Sequence, residues 1–178
     1  MKISIIVEGP SDEIILGGQR DWLASLGLEI SVHSTGGRAS MLRKARQYYK
    51  MARYADSDMV IFLPDQDTDV CAMSTRDKID VDELSGAVTV VLKRELEAWV
   101  LADGECVEAS VGLSYSPAGQ TDTELDCKTK LQNLIKRKKG YLPTTMQVAR
   151  MVAEDFSISR AARNNTSAKR FKDLVESI

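Results

Sequence analysis

The chain has 178 residues, 43% hydrophobic and 28% charged, which is the composition of an ordinary globular protein with enough length for one sizeable core. No apolar run approaches the roughly 20 residues that cross a bilayer, and the apolar start is cut by Glu8, so it reads as a first strand rather than a signal peptide and the expected location is the cytoplasm. Three widely spaced cysteines and a single histidine, His33, argue against a disulfide framework, a zinc site or a His-based hydrolase.

The formal net charge of −2 conceals an asymmetry. Residues 1–127 carry 12 Lys/Arg against 22 Asp/Glu, whereas residues 128–172 carry 12 against 2. An acidic body with a basic tail suits a protein in which one part binds cations and the other meets a polyanion. Mutual attraction of the two parts explains the same counts.

In chain order, Ile3–Val7 is a β-branched run predicting a buried strand, ended by Gly9-Pro10. Ser11, Asp12 and Glu13 suit the start of a helix whose apolar side is Ile15, Trp22, Leu23 and Leu26, weakened by Gly17-Gly18. Leu28–Val32 predicts a second strand. From Ala39 to Ala55 the pattern predicts a helix with Leu42, Ala45, Tyr49 and Ala52 inward. Arg43, Arg46, Lys50 and Arg53 repeat one position on, and no acidic residue interrupts Arg38 to Arg53. Met59–Leu63 and Val88–Leu92 predict strands three and four, with a helix over Arg94–Asp103. Alternating strands and helices imply βαβ units, hence an α/β fold with a mainly parallel four-stranded sheet flanked by helices. We expect this core over residues 1–103 and a helical extension over 104–178 packed on it. Within the extension, residues 112–124 form a polar loop. Helices follow at Cys127–Lys139, Pro143–Phe156 and Ser167–Ile178.

Glu8, Asp65 and Asp67 fall just past the first and third strands, where open parallel sheets bind ligands. Clustered carboxylates repel one another, and a hard divalent cation, Mg²⁺ or Mn²⁺, relieves that repulsion through oxygen ligands. Asp69 is a further carboxylate nearby, with ligand and solvated-charge roles both open. Asp65-x-Asp67-x-Asp69 does not continue as a calcium loop, because Val70 and Arg76 stand where Gly and Glu are needed. Aspartate-nucleophile phosphatases carry their Asp-x-Asp after the first strand instead. No phosphate-binding Gly-x-x-x-x-Gly-Lys-Ser/Thr is present. Among the cations, Arg38, Arg43, Arg46 and the run Lys136, Arg137, Lys138, Lys139 are candidates for nucleic-acid backbone contacts. For the run, a solvated helix end complementing its own dipole is an equal alternative.

Glu8-Gly-Pro-Ser-Asp12 after the first strand and Asp65-Gln-Asp67 after the third resemble the TOPRIM domain of topoisomerases, primases and overcoming-lysogenization-defect nucleases. Glu95-Leu-Glu-Ala-Trp-Val-Leu-Ala-Asp103 and the C-terminal helix are similar to small stand-alone bacterial TOPRIM-like proteins with no assigned function. The resemblance implies Glu8 as general acid/base or ligand, Asp65 and Asp67 as Mg²⁺ ligands, and Glu97 as a further carboxylate at the site, with Trp99 and Leu101 in the core. The glycine that often follows Asp-x-Asp is replaced by Asp69-Val-Cys, which bears on the loop's conformation and on a two-metal geometry. The implied activity is Mg²⁺-dependent phosphodiester cleavage of DNA or RNA by a nuclease, by kinship in phage defence. The alternative is a catalytically weak, metal-binding partner module for an ATPase.

Overall fold

A computed structural model describes residues 1–67, 69–79, 81, 84–117, 119, 121–123 and 126–178. Four strands, β1 (Lys2–Val7), β2 (Glu29–Ser34), β3 (Met59–Leu63) and β4 (Ala87–Thr89), form one parallel sheet in the order β2-β1-β3-β4. Strand residues alternate between two cores, as the period of two requires. Ile3, Ile5, Val7, Ile61 and Leu63 enter the larger one, and Ile6, Val60 and Phe62 enter the smaller. The α/β class and the parallel sheet expected from the sequence are what the chain adopts.

The smaller core is closed by α3 (Arg38–Tyr54) through Met41, Ala45 and Ala52, and by α4 (Ala72–Ile79) through Ile79. The larger core lies under α1 (Pro10–Gly17), α2 (Arg20–Ser25), α5 (Glu97–Ala102) and α6 (Gly104–Val111). The same cluster continues into α7 (Cys127–Lys139), α8 (Thr145–Val152), α9 (Ile158–Ala161) and α10 (Thr166–Glu176). Helices therefore cover both faces. The helices of residues 104–178 share this core with β1 and β3. Trp99 is fully buried and meets Phe171 of α10 at a ring-centroid distance of 5.6 Å.

Several element boundaries differ from the sequence expectation, each for a physical reason. The first helix is broken into α1 and α2 at Gly18, where a Cβ would lie 2.1 Å from the Ala153 carbonyl oxygen. The fourth strand ends at Thr89 rather than Leu92, although Val90 N–H still donates to Phe62 O and Leu92 N–H to Pro64 O, both at 2.9 Å. Its neighbour runs into Pro64, which has no N–H to continue the ladder. The helix expected over Arg94–Asp103 starts at Glu97, because Arg94 has φ of 70°. That value belongs to the left-handed region, which a helix cannot use.

Thr144 sets the start of α8 through a capping box with Gln147, later than Pro143. Three helices, α4, α6 and α9, had no sequence expectation. The second is capped by Asp103 and ended by Gly112 at φ of 77°. In the loop 112–124, Thr121–Thr123 is a 3-10 turn, while residues 118, 120 and 124 lie outside the described residues. No helix among the described residues is long and apolar enough to cross a membrane.

Candidate acidic site

Strand order reverses between β1 and β3. The chain leaves β1 for β2 on one side and returns to place β3 on the other. Correspondingly, α1 follows β1 onto the larger core while α4 follows β3 onto the smaller. Loops that diverge to opposite faces open a crevice beyond the strand ends, the usual ligand position in such sheets. Glu8 stands one residue past β1 and Asp65 two residues past β3.

Glu8 is buried, and its Oε1 accepts the Asp65 backbone N–H at 3.1 Å. This bond pins the two strand ends together and leaves Oε2 for other work. Burial lifts the Glu8 carboxyl to about 7; the nearby Asp67 and Asp12 add to the rise, and the Asp65 N–H and Arg38 oppose it. Asp12, in the first turn of α1, accepts Gly9 N–H at 2.8 Å and is raised by burial and by Glu95. Glu97, at the start of α5 and 3% exposed, is also lifted to about 7, by burial and then by Glu95 and Asp12. Asp65 is pushed well above the carboxylate range by burial, reinforced by Asp12, Glu8, Glu97 and Asp67. Its Oδ1 is buried with no hydrogen-bond partner among the described residues. Four carboxyl groups from β1, α1, β3 and α5 thus share one poorly solvated region, and each makes the next harder to ionise.

Two cations temper this cluster. Lys128, at the start of α7, places Nζ 3.7 Å from Glu97 Oε1 and 3.8 Å from Glu95 Oε2, and its backbone N–H donates to Glu95 Oε1 at 2.6 Å. Burial alone would lower the Lys128 ammonium, but Glu97, Glu95, Asp65 and Asp12 raise it instead. Arg38, at the N-terminus of α3, donates to the Asp65 carbonyl and to Asp67 Oδ2 at 3.4 Å, forms an ion pair with Asp69, and stands 4.0 Å from Glu8.

The sequence candidates therefore divide. Glu8, Asp65 and Glu97 are brought into one region, with Asp67, exposed and at φ of 48°, on its rim. Asp69 is tied by Arg38, by Thr75 Oγ1 at 2.8 Å and by Lys78 Nζ at 2.6 Å. Lys78 and Thr75 hold its carboxyl down at about 2. Arg43 is exposed and donates to Ala39 O; Arg46 is exposed on the same helix. Lys136, Arg137, Lys138 and Lys139 are exposed at the far end of α7. With a rise of 1.5 Å per residue, they start roughly 12 Å along the axis from Lys128. Sequence reasoning missed Lys128 altogether. It also used Asp12 only as a motif and helix-start residue; its fixed spacing from Glu8 was the available signal. Nothing local marks Lys128, which reaches the cluster only through the packing of α5 on α7.

Among the described residues no three His, Cys, Asp or Glu side chains stand in an arrangement that holds a metal ion as it is. The donor set is nonetheless all oxygen, the kind Mg²⁺ takes, and Asp65 Oδ1 lacks any other partner among the described residues. Comparisons with family models, curated proteins and solved structures gave no match.

Proposed function

We propose that the protein is a divalent-cation-dependent phosphodiesterase of the TOPRIM type acting on DNA or RNA. The observation that carries this is the buried, unpartnered Asp65 Oδ1 among Glu8, Asp12 and Glu97 at the point where strand order reverses. Leaving such a group unsatisfied costs about 1–3 kcal/mol or more, and a cation would offset it. Asp65, Asp67 and Glu97 would hold Mg²⁺ or Mn²⁺, with Asp69 left to its ion pairs and Glu8 left free as a proton acceptor. When bound, the cation supplies charge neutralisation at a phosphate oxygen and activation of a water.

The chain's own contribution is a proton acceptor. Glu8 titrates near 7, the range in which a general base works best at neutral pH, and its Oε1 is held by Asp65 N–H so that Oε2 is fixed in direction. Lys128 and Arg38 flank the acids and could meet the phosphate oxygens that the carboxylates repel.

A second reading has its own support. Arg38 occupies Asp67 and Asp69, and the carboxylates are not gathered into a ready ligand set. A partner module for an ATPase, competent only once that partner draws Arg38 away, fits this arrangement. Mg²⁺ titration by calorimetry, alongside cleavage of DNA and RNA panels with Mg²⁺ or Mn²⁺, tests both. Saturable binding and cleavage are expected for the wild type, with both lost in Asp65→Asn. Binding without cleavage by the chain alone favours the partner module; no binding at all overturns both readings.

A further inference from the structure

Beside the acidic crevice lies a second cavity, of about 310 Å³, between the loop after β3 (Gln66, Val70, Cys71) and the segment after β4 (Lys93, Arg94), with Asp122 on its wall. The two walls are tied together, since Gln66 N–H donates to Leu92 O at 2.9 Å and Asp67 N–H to Arg94 O at 3.4 Å. The cavity thus begins one residue beyond Asp65. Its volume lies at the low end of the ~300–1,000 Å³ usual for ligand pockets.

The cavity's charge contrasts with that of the crevice. Among the described residues Asp122 is the only acid lining it, and that carboxylate is already used. It accepts Thr166 N–H at 3.1 and 3.2 Å and Thr166 Oγ1–H at 2.5 Å, with Lys93 Nζ 3.9 Å away. Lys93 is therefore partly paired. Arg94 is half-buried, and its guanidinium has no hydrogen-bond or ion-pair partner among the described residues. Its φ of 70° aims that side chain from a backbone conformation that costs a non-glycine residue of order 1–2 kcal/mol, and the Asp67 bond holds the turn in place. A planar fork of donors without an acceptor, lining a cavity beside a cluster of acids, fits a phosphate better than any other common group.

We propose that this cavity is a phosphate subsite, in which Arg94, assisted by Lys93, grips the backbone phosphate next to the one at the acidic crevice. The proposal rests on the phosphodiesterase reading for its substrate, a polynucleotide strand. It assigns the strand's path across the ends of β3 and β4, rather than along the distant Lys136–Lys139 run.

The test uses the full chain, a fluorescein-labelled single-stranded oligonucleotide and Ca²⁺ in place of Mg²⁺, with anisotropy read over a range of salt. Arg94→Gln should weaken binding by roughly 10- to 100-fold, the value of a charge-assisted bond pair. It should also reduce the log–log salt slope by about 0.7, one single-strand phosphate contact. Arg94→Lys should recover part of the affinity, and an unchanged circular dichroism spectrum and melting temperature show that the fold is intact. Binding by Arg94→Gln within twofold of wild type at an unchanged slope overturns the subsite, as does absence of binding by wild type. Cleavage in Mg²⁺ is scored separately. Arg94-dependent binding without cleavage keeps the subsite and sinks the phosphodiesterase reading; cleavage with Arg94-independent binding does the reverse.

Discussion

Two aspartates with buried carboxylate oxygens, Asp65 and Asp103, show what the same side chain does under opposite provision. Asp103 has no exposed side-chain surface and every oxygen is spoken for. Its Oδ1 accepts Cys106 N–H at 3.2 Å and Arg160 Nε–H at 2.7 Å, while Oδ2 accepts Ser157 N–H at 2.8 Å and an Arg160 terminal N–H at 3.0 Å. It caps α6, anchors α9 and fixes an arginine. Asp65 has Oδ1 buried without a partner among the described residues, and acids on several sides. A satisfied buried carboxylate is a structural joint, whereas an unsatisfied one is a stored cost that a ligand can release.

The sharpest way to break this comparison is to remove the joint. Asp103→Ala leaves Arg160 and two backbone N–H groups without their acceptor, and should cost about 3–5 kcal/mol of unfolding free energy in a urea titration. A loss below about 1 kcal/mol would mean that Asp103 is no more than a surface-like pair.

The next effect is in pH. Glu8 and Glu97 have folded-state values of about 7 against 4.5 for the free side chain. The folded protein therefore holds protons that the unfolded chain releases, and stability falls as pH rises from about 4.5 to 7. On the order of 2–3 kcal/mol is at stake for each carboxylate at most. Melting temperature measured with a chelator present should decline across that window, Glu8→Gln and Glu97→Gln should flatten the decline, and Mg²⁺ should reverse it. A melting temperature that rises between pH 5 and 7 would contradict the raised values.

The smallest effect is the most telling in sign. Asp65→Asn removes a carboxyl whose ionisation its surroundings oppose, and should raise stability at pH 7.5 by about 1 kcal/mol in the same urea titration while removing the proposed cleavage. A variant less stable than wild type would place Asp65 with Asp103, among the joints.

Much of the fold was legible because its strands are short β-branched runs between turn residues. β1 and β3 lie within one residue of their expected limits, and α7 runs from Cys127 to Lys139, where Gly140 at φ of 78° ends it. Two of the misjudged boundaries depended on partners distant in sequence. Gly18 is required by the Ala153 carbonyl, 135 positions on, and β4 is cut short by a proline in its neighbour. The site divides in the same way. Glu8 and Asp65 could be placed from strand ends alone, and Asp12 from its spacing to Glu8. Lys128 could not, because its position depends on how α7 docks. The freedom of Arg94 was equally hidden, since it follows from a backbone turn and from Asp122 being consumed by Thr166.

Ser167 gives this dependence a direction in time. Its buried hydroxyl accepts Trp99 Nε1–H at 2.8 Å and Lys93 N–H at 3.1 Å, so one atom of the last helix holds both the core tryptophan and the segment that leads into Arg94. A chain emerging from the ribosome N-terminus first can pair β1, β2 and β3 early, but it cannot set the turn at residues 93–96 until residue 167 has been made and docked. Contacts closed over 68 and 74 residues of sequence come late and slowly in folding. The crevice therefore acquires its final shape only after residue 167 has docked, later than the pairing of β1, β2 and β3.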